Sequence, residues 1–441
     1  MEESLTEFLE RAPLSRFHYV LLIIGSLIYC FTAMNVMLIA AALPAIKTEW
    51  MLDPITAGFL LSTGYVGMFI GALSCGVIAD LIGRRKALLL TIFMMTIFTG
   101  LCSAAWDVLS MSIFRLLAGI GLGGSLPQPG VYVSEYIPAK HRGRFIGLVE
   151  TSWVYGALLA ILFPFFLIPS YGWRLTFLVA LIPLFLVPLI LRFIPESIRY
   201  LEFMGRREEA THILEKHGLI RTAPNGGKPG GRPPYSVKAA LGLVWSPTYR
   251  GRTALLWILW AALVYTYHGI FLWLPTVYAD LTLAKELLTP LYFTLIVTLL
   301  QVPGYFSATF LLDSVGRKPV LIAYLGLAGI GSYLIGRAVG ITNVLIWSGV
   351  VSFFNLGAWA GLYTYTPELY PTHARGTGSG LAASIGRLAG ILAPTLTGYL
   401  YATADLGPMF LVFALIHIAA ALSVLILGIE TKGKALEVIS K

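Results

Sequence analysis

An all-α integral membrane protein, with twelve transmembrane helices in two pseudo-symmetric six-helix bundles, is the fold this sequence predicts. Three observations predict it. Of 441 residues, 57% are hydrophobic and only 12% charged, about half the charged share of soluble domains. Apolar runs long enough to cross a hydrocarbon core of about 30 Å, each needing about 20 residues, recur along the whole chain. Motifs of the first half return in the second at one constant spacing.

Taken in order, the apolar runs lie near 17–43, 55–80, 87–106, 109–133, 145–169, 174–194, 253–279, 287–312, 319–337, 342–365, 377–401 and 407–429. The first is too long for a signal peptide and lacks a small-residue cleavage site, so it reads as a retained helix. The fourth contains GIGLGGSLPQPG at 119–130; transmembrane helices tolerate such Gly and Pro better than soluble ones do. After the sixth run, YLEFMGRREEATHILEKHG reads as an interfacial helix and NGGKPGGRPPYS as a flexible connector. The expected organisation is an N-terminal six-helix bundle at 1–194, a cytoplasmic linker with short helices at 195–252 and a C-terminal six-helix bundle at 253–441.

Twelve spans leave both termini on one face, and the basic residues choose which. With a cytoplasmic N-terminus, 25 of the 31 Lys and Arg fall in cytoplasmic segments, Arg115 and Arg387 fall inside spans, and Lys47, Arg174, Lys285 and Arg337 fall outside. That asymmetry follows the positive-inside rule and predicts a multi-pass protein of the cell (inner) membrane with both termini cytoplasmic. The net charge of +9 then reports topology and needs no nucleic-acid partner. Cys30, Cys75 and Cys102 lie in or beside spans without metal-type spacing, so neither a disulfide framework nor a zinc site is expected.

The internal repeat organises the charges. ADLIGRRKALL at 79–89 returns as LDSVGRKPVLI at 312–322, and SEYIPAKHRGRFIG at 134–147 returns as PELYPTHARGTGSG at 367–380, each 233 residues later. Two six-helix halves in parallel repeat follow from this. Asp80 with Gly83, Arg84 and Arg85, and Asp313 with Gly316, Arg317 and Lys318, set an acid at a helix end with bases one turn on. Glu135 and Arg142, with Glu368 and Arg375, repeat an arrangement in the second turn of each half. One reading makes these charges inter-helix salt bridges that close the cytoplasmic side in one state and separate in the other. The other makes them topology signals beside water. Duplication at a fixed offset favours the gate.

Several of these segments together carry a family resemblance that covers nearly the whole chain. GVIADLIGRRK, RLLAGIGLGG, IPESIRYLE and PELYPTHARGTGSG resemble signatures of the major facilitator superfamily, in the branch of sugar porters and organic ion transporters. FTAMNVMLIAAALP, LVETSWVYGALLA and TYTPELYPTHARGTG are more similar to the synaptic-vesicle-protein-like and bacterial metabolite:proton symporter group than to sugar porters. Sugar porters usually show a Gln-Leu pair where this chain has Glu150 and Thr151, and a double-Gln motif where it has YTYHGIFLWLP. The resemblance implies transport by alternating access, with substrate near the midplane between the halves. Relatives in this group often carry two acids in the first span where this chain has Thr32 and Asn35. Proton coupling through that span is therefore not expected, and Asn35 offers only neutral hydrogen bonds.

Charges inside spans are few. Arg387 lies 12 residues beyond Arg375, about 18 Å into the membrane at roughly 1.5 Å per residue. Such a charge costs roughly 2.5–3.5 kcal/mol even on lenient scales, so it faces a cavity or a partner. GRLAGILAP resembles the eleventh span of organic anion transporters, where an arginine at the matching position is associated with anionic substrates. That resemblance implies a carboxylate opposite Arg387, whose planar fork suits one better than a lysine would. The alternative is a structural ion pair with Glu150, which lies 8 residues past Arg142. Three roles stay open for Glu150: pairing with Arg387, binding a proton, or attracting a cationic group. Arg115 reads as structural.

Polar and aromatic residues complete the pocket candidates: Tyr265, Tyr267 and His268 in the seventh span, Gln301 in the eighth, and Asn355, Trp359, Tyr363 and Tyr365 in the tenth. Asn355, Trp359 and Tyr363 stand at i, i+4 and i+8, hence on one helix face, and that stripe suits a flat aromatic substrate or ordinary packing. His417 reads as peripheral. No Walker sequence, metal cluster or nucleophile elbow occurs, which argues against an ATP-driven pump and against a membrane enzyme. The expected function is secondary active transport of a small organic anion, an aromatic or heteroaromatic carboxylate, coupled to protons. The expected partners are that solute, protons and the lipid bilayer; the chain works as a monomer, without a cofactor. A cationic or neutral solute such as a sugar, and a non-translocating sensor on the same fold, are the alternatives.

Overall fold

Hydrocarbon leaves no water to satisfy a bare backbone, so a chain crossing it closes its hydrogen bonds within each segment. All regular elements among the described residues are accordingly helices. The computed structural model describes residues 9, 13–219, 242–282, 288–371 and 375–433, with the side chains of Ser134, Ala139, Phe203 and Arg375 outside that description. The Gly- and Pro-rich connector and Lys285 also lie outside the described residues.

The first part of the chain forms α1 (Arg16–Glu49), α2 (Pro54–Ile82), α3 (Arg84–Leu101), α4 (Val108–Ser125), α5 (Gln128–Tyr136), α6 (Ala139–Leu178) and α7 (Leu186–Phe193). Two short helices follow, α8 (Ile198–Phe203) and α9 (Arg207–Lys216). The remainder forms α10 (Arg250–Phe271), α11 (Leu274–Leu281), α12 (Leu288–Leu299), α13 (Gln301–Ser314), α14 (Arg317–Arg337), α15 (Ile341–Glu368), α16 (Arg375–Ala404) and α17 (Leu406–Leu427). Eleven stretches among the described residues are long and apolar enough to cross a membrane. One of them, Lys140–Phe193, has 54 residues, about 80 Å of helix and more than two bilayer cores. It holds the fifth and sixth expected spans, and the helix breaks at Gly172 (φ 75°, ψ 174°), between them. The single interfacial helix expected at 200–218 is instead the pair α8 and α9, because Gly205 takes a positive φ of 72°.

Packing gathers the described residues into two compact units: those within 1–36, 66–159 and 177–234 form one, and those within 37–65, 160–176 and 235–441 the other. Both α1 and α2 contribute to each unit. In the first unit, Tyr29, Val133, Ile137, Phe145 and Val149 form a buried cluster. The glycines of RLLAGIGLGG let α2 and α4 touch backbone to backbone: a Cβ on Gly123 would strike the Met68 carbonyl, and Cβ atoms on Gly67 and Gly71 would strike those of Leu116 and Ile120. Small residues at helix contacts are how membrane helices approach closely. In the second unit, Ala41, Ile161, Ile168 and Leu291 form a buried cluster. Large apolar side chains such as Val77, Phe93, Leu109, Phe310, Leu415 and Ile426 remain exposed, as a lipid solvent permits.

Candidate transport site and its gates

The repeated charge motifs build two matching helix junctions. At Gly83 (φ 100°) and Gly316 (φ 125°) the backbone takes conformations that favour glycine. Each glycine N-caps a helix, α3 or α14, whose first N–H groups lack partners within it. An acid supplies them. Glu196 Oε1 accepts from the Arg84 and Arg85 N–H at 2.8 and 3.1 Å. Glu430 accepts from the Arg317 and Lys318 N–H at 3.0 Å each, and from the N–H of Thr431 and Lys432. A Cβ at either glycine would collide with that carboxylate, so glycine is required twice over. Burial pushes the Glu430 carboxyl up, but the four backbone N–H groups outweigh it and hold the group below the usual carboxylate range.

Side chains of the same motifs pair across helices within each unit. Arg84 Nε lies 3.0 Å from Glu135 Oε1, whereas the exposed Asp80 is 3.9 Å from Arg84 Nη2. Arg317 Nη2 lies 3.0 Å from Glu368 Oε1, and Nη1 lies 3.4 Å from the exposed Asp313. Thr431 Oγ1 donates to Glu368 Oε2 at 2.6 Å. The inner partners are thus the glutamates: Glu135 is buried, and burial raises its carboxyl above the usual range against the opposing pull of Arg84. Arg85 donates to the Leu191 carbonyl, Lys318 Nζ to the Gly428 carbonyl at 2.8 Å, and Arg142 to the Ile137 carbonyl at 3.4 Å. The Arg375 side chain lies outside the described residues. Glu196 and Glu430 escaped sequence reading, although both follow the last apolar span of their half and Glu196 stands within IPESIRYLE.

The second unit brings most pocket candidates together. Trp359 on α15 stands 5.7 Å from Trp260 on α10, 5.5 Å from Tyr363 and 6.3 Å from Tyr267 between ring centroids. Trp260 is 5.5 Å from Tyr363. Tyr267 abuts His268 at 5.2 Å, and His268 abuts Tyr65 of α2 at 4.8 Å. Tyr267 OH donates to Gln301 Oε1 at 3.4 Å, and His268 Nδ1 bonds the Val264 carbonyl at 2.9 Å. Arg387, half-buried on α16, is flanked by glycines that carry this helix onto the same residues. A Cβ on Gly386 would meet Val264 at 2.9 Å and Trp260 at 3.2 Å, and one on Gly390 would meet Tyr65 at 3.1 Å. Sequence reading missed Trp260 and Tyr65; Trp260 precedes His268 by two helical turns on α10, which is the signal that could have found it.

Asn355 lies one turn from Trp359 but turns elsewhere. Its Nδ2 donates to Thr266 Oγ1 at 3.0 Å and meets His417 Nε2 at 2.9 Å, while His417 Nδ1 meets the Phe413 carbonyl at 2.9 Å. His417 is therefore a fully buried member of a polar network, which corrects the reading of it as peripheral. Tyr365 also departs from the pocket reading: its hydroxyl clamps the Ile429 backbone at 2.6 Å. Tyr265 packs on Phe413 at 5.8 Å. The first unit holds the other two candidates. Asn35, fully buried, donates its amide to the Phe31 carbonyl at 2.8 Å and its Oδ1 has no hydrogen-bond partner among the described residues. Half-buried Glu150 follows Val149 of the buried cluster. Arg115, buried, donates to the Asn35 and Val36 carbonyls at 3.3 and 3.5 Å. Thr32 faces Ser125 at 3.2 Å.

At the ends of α1 and α2 remote from the charge motifs, a second set of contacts closes. Lys47 Nζ and Asp280 Oδ2 pair at 2.8 Å, and Tyr401 OH donates to the same oxygen at 2.8 Å. Ser62 Oγ and Thr395 Oγ1 are 2.8 Å apart. A Cβ on Gly58 would fall 2.6 Å from the Pro394 carbonyl oxygen, so α2 and α16 meet there backbone to backbone. Among the described residues no group of three or more His, Cys, Asp or Glu could hold a metal ion.

Comparison with known proteins places this arrangement. The Sugar (and other) transporter family matches residues 44–441. The niacin transporter NiaP of Acinetobacter baylyi is 37% identical over 439 residues, 97% of this chain and 98% of that protein. The benzoate transport protein of the same organism is 28% identical over 417 residues, 90% of this chain and 87% of that protein. A partially occluded, inward-open structure of the xylose transporter XylE from E. coli superposes with a TM-score of 0.77 at 20% identity, over 96% of this chain and all of that one.

Proposed function

We propose, because the chain belongs to the Sugar (and other) transporter family of the major facilitator superfamily, that it carries a small aromatic carboxylate of the niacin class across a membrane by alternating access. One observation carries the substrate class. Arg387 rides on a helix whose flanking glycines pack against Trp260 and Tyr65, members of the ring set that also holds Trp359, Tyr363, Tyr267 and His268. A guanidinium beside flat rings is the complement of a flat ring bearing a carboxylate: the fork bonds two oxygens in parallel, and the rings take the apolar faces. The names of the niacin and benzoate relatives support the same class.

In this reading the end bearing the charge motifs faces the cytoplasm of a bacterial inner membrane, both termini with it. Arg84–Glu135 and Arg317–Glu368 brace the cytoplasmic helix ends, and Lys47–Asp280 with Ser62–Thr395 latch the outer ends. Glu150 carries the coupled proton, since the first span offers Thr32 and Asn35 where acids would stand. Purified protein in liposomes preloaded with niacin should take up labelled niacin by counterflow, inhibited by benzoate and indifferent to xylose. Exchange of xylose without niacin would overturn the substrate class. An imposed proton gradient should drive niacin accumulation in the parent protein and not in Glu150→Gln, which should still exchange; retained accumulation would remove Glu150 from the coupling.

A further inference from the structure

The indole N–H of Trp359 is a buried donor with no acceptor among the described residues. Trp359 is 8% exposed, and its Nε1 has no hydrogen-bond partner among the described residues. Buried tryptophans usually find a partner for that group, because an unpaired donor in an apolar setting forfeits its hydration with nothing in return. Three rings pack about it: Trp260, Tyr363 and Tyr267. Of these, Trp260 sends its own N–H to Thr366 Oγ1 at 3.1 Å, and Tyr267 sends its hydroxyl proton to Gln301 at 3.4 Å. The donor thus sits inside the ring set that α16, the helix of Arg387, abuts through Gly386 and Gly390, where a flat substrate is proposed to lie.

We infer that Trp359 reads the ring nitrogen of a pyridine carboxylate and so distinguishes it from a benzene carboxylate. The inference rests on the proposed substrate class and names what selects within it. Once Arg387 takes the carboxylate, a pyridine-3-carboxylate has one acceptor left, the lone pair of its unprotonated ring nitrogen. Benzoate presents a C–H there and leaves the indole unpaired. A site built to bond a substrate group rejects the analogue that lacks it more strongly than an apolar pocket rejects a change of size.

Titration calorimetry of niacin, benzoate and N-methylpyridinium-3-carboxylate against the purified full-length protein tests this; the last keeps the ring and carboxylate but has no lone pair. The wild type should bind niacin roughly three- to tenfold more tightly than either analogue, the range of one neutral hydrogen bond. Trp359→Phe should remove that preference, so that niacin and benzoate bind within about twofold of each other whatever the smaller ring costs both, and a benzoate signal also shows that the variant is folded. Equal weakening of niacin and benzoate would mean that the indole serves the carboxylate or the packing, and the inference fails. It fails too, without any variant, if the wild type binds benzoate as tightly as niacin. A wild type that binds none of the three instead overturns the proposed substrate class, and this inference with it.

Discussion

A guanidinium midway along a membrane-spanning helix costs roughly 2.5–3.5 kcal/mol to insert, and the helix that carries Arg387 packs against aromatic residues of α10 and α2. Gly386 and Gly390 bring α16 against Trp260 and Tyr65, which is the basis for proposing that Arg387 and the rings share one ligand. Arg387→Lys keeps the charge but replaces a planar fork with a point donor. Niacin affinity should fall about 30-fold or more, the loss expected when a charge-assisted contact in a desolvated site is broken; a calorimetric Kd within about threefold of the parent would remove the bidentate reading. Arg387 and the Trp359–Tyr363 contact stood out in the sequence because an arginine amid small apolar residues and a helical spacing are local patterns, whereas Asn355, at the same spacing, turns to His417. Trp260 and Tyr65 did not stand out, since an aromatic residue in an apolar span looks the same whether it faces lipid or a site. His417 was misread for a related reason: its partner Asn355 is 62 residues away, and nothing local marks the pair.

Helix junctions show how far a local signal reaches and where it stops. Gly83 and Gly316 announce a turn in the sequence, and the structure adds the reason that only glycine fits: the carboxylates of Glu196 and Glu430 occupy the space of a Cβ. Those acids lie more than a hundred residues from the N–H groups they cap, beyond any spacing rule. The Lys140–Phe193 stretch shows the converse, since its length demanded two spans and one non-helical glycine, Gly172, supplies the break. Because backbone N–H groups hold Glu430 below the usual carboxylate range despite its burial, the charged form is favoured by folding. That contribution is present above the unfolded-state value and is lost as pH falls through the depressed one. Glu430→Gln should therefore lower stability at neutral pH by the worth of a helix cap, about 0.5–2 kcal/mol, read as a fall in melting temperature. The gap between variant and parent should narrow on acidification. A constant gap from neutral pH to strongly acid conditions would mean that the carboxylate charge at this junction is not what stabilises it.

At the scale of the whole molecule, the repeat turns one ion pair into a marker of symmetry. Lys47 and Asp280 are 233 residues apart, the same offset that relates Arg84 to Arg317 and Glu135 to Glu368. They occupy equivalent positions of the two repeats, and two equivalent positions can touch only beside the pseudo-two-fold axis that relates them. Opposite charges at one repeated position thus tie the ends of α1 and α11 on the axis itself, where Tyr401 adds a hydrogen bond to the same Asp280 oxygen. Alternating access requires this tie to break whenever those ends part. With Lys47 at 21% and Asp280 at 43% side-chain exposure, the pair is worth about 1 kcal/mol, enough to move a two-state population roughly fivefold. Ser62 reports the motion: it is buried against Thr395, and the native Cys30, Cys75 and Cys102 are all buried, so a cysteine at 62 gives the signal over a low background. In purified protein, Asp280→Asn should raise labelling of Ser62→Cys by a hydrophilic thiol reagent about fivefold, and Lys47→Asp, which sets two acids face to face, should raise it further. The exchanged pair, Lys47→Asp with Asp280→Lys, should return labelling toward the parent value, because the attraction depends on opposite signs and not on which helix bears which. Labelling that stays at the parent level in all three would show that the backbone contact of Gly58 with Pro394, and not the charge pair, keeps these ends together.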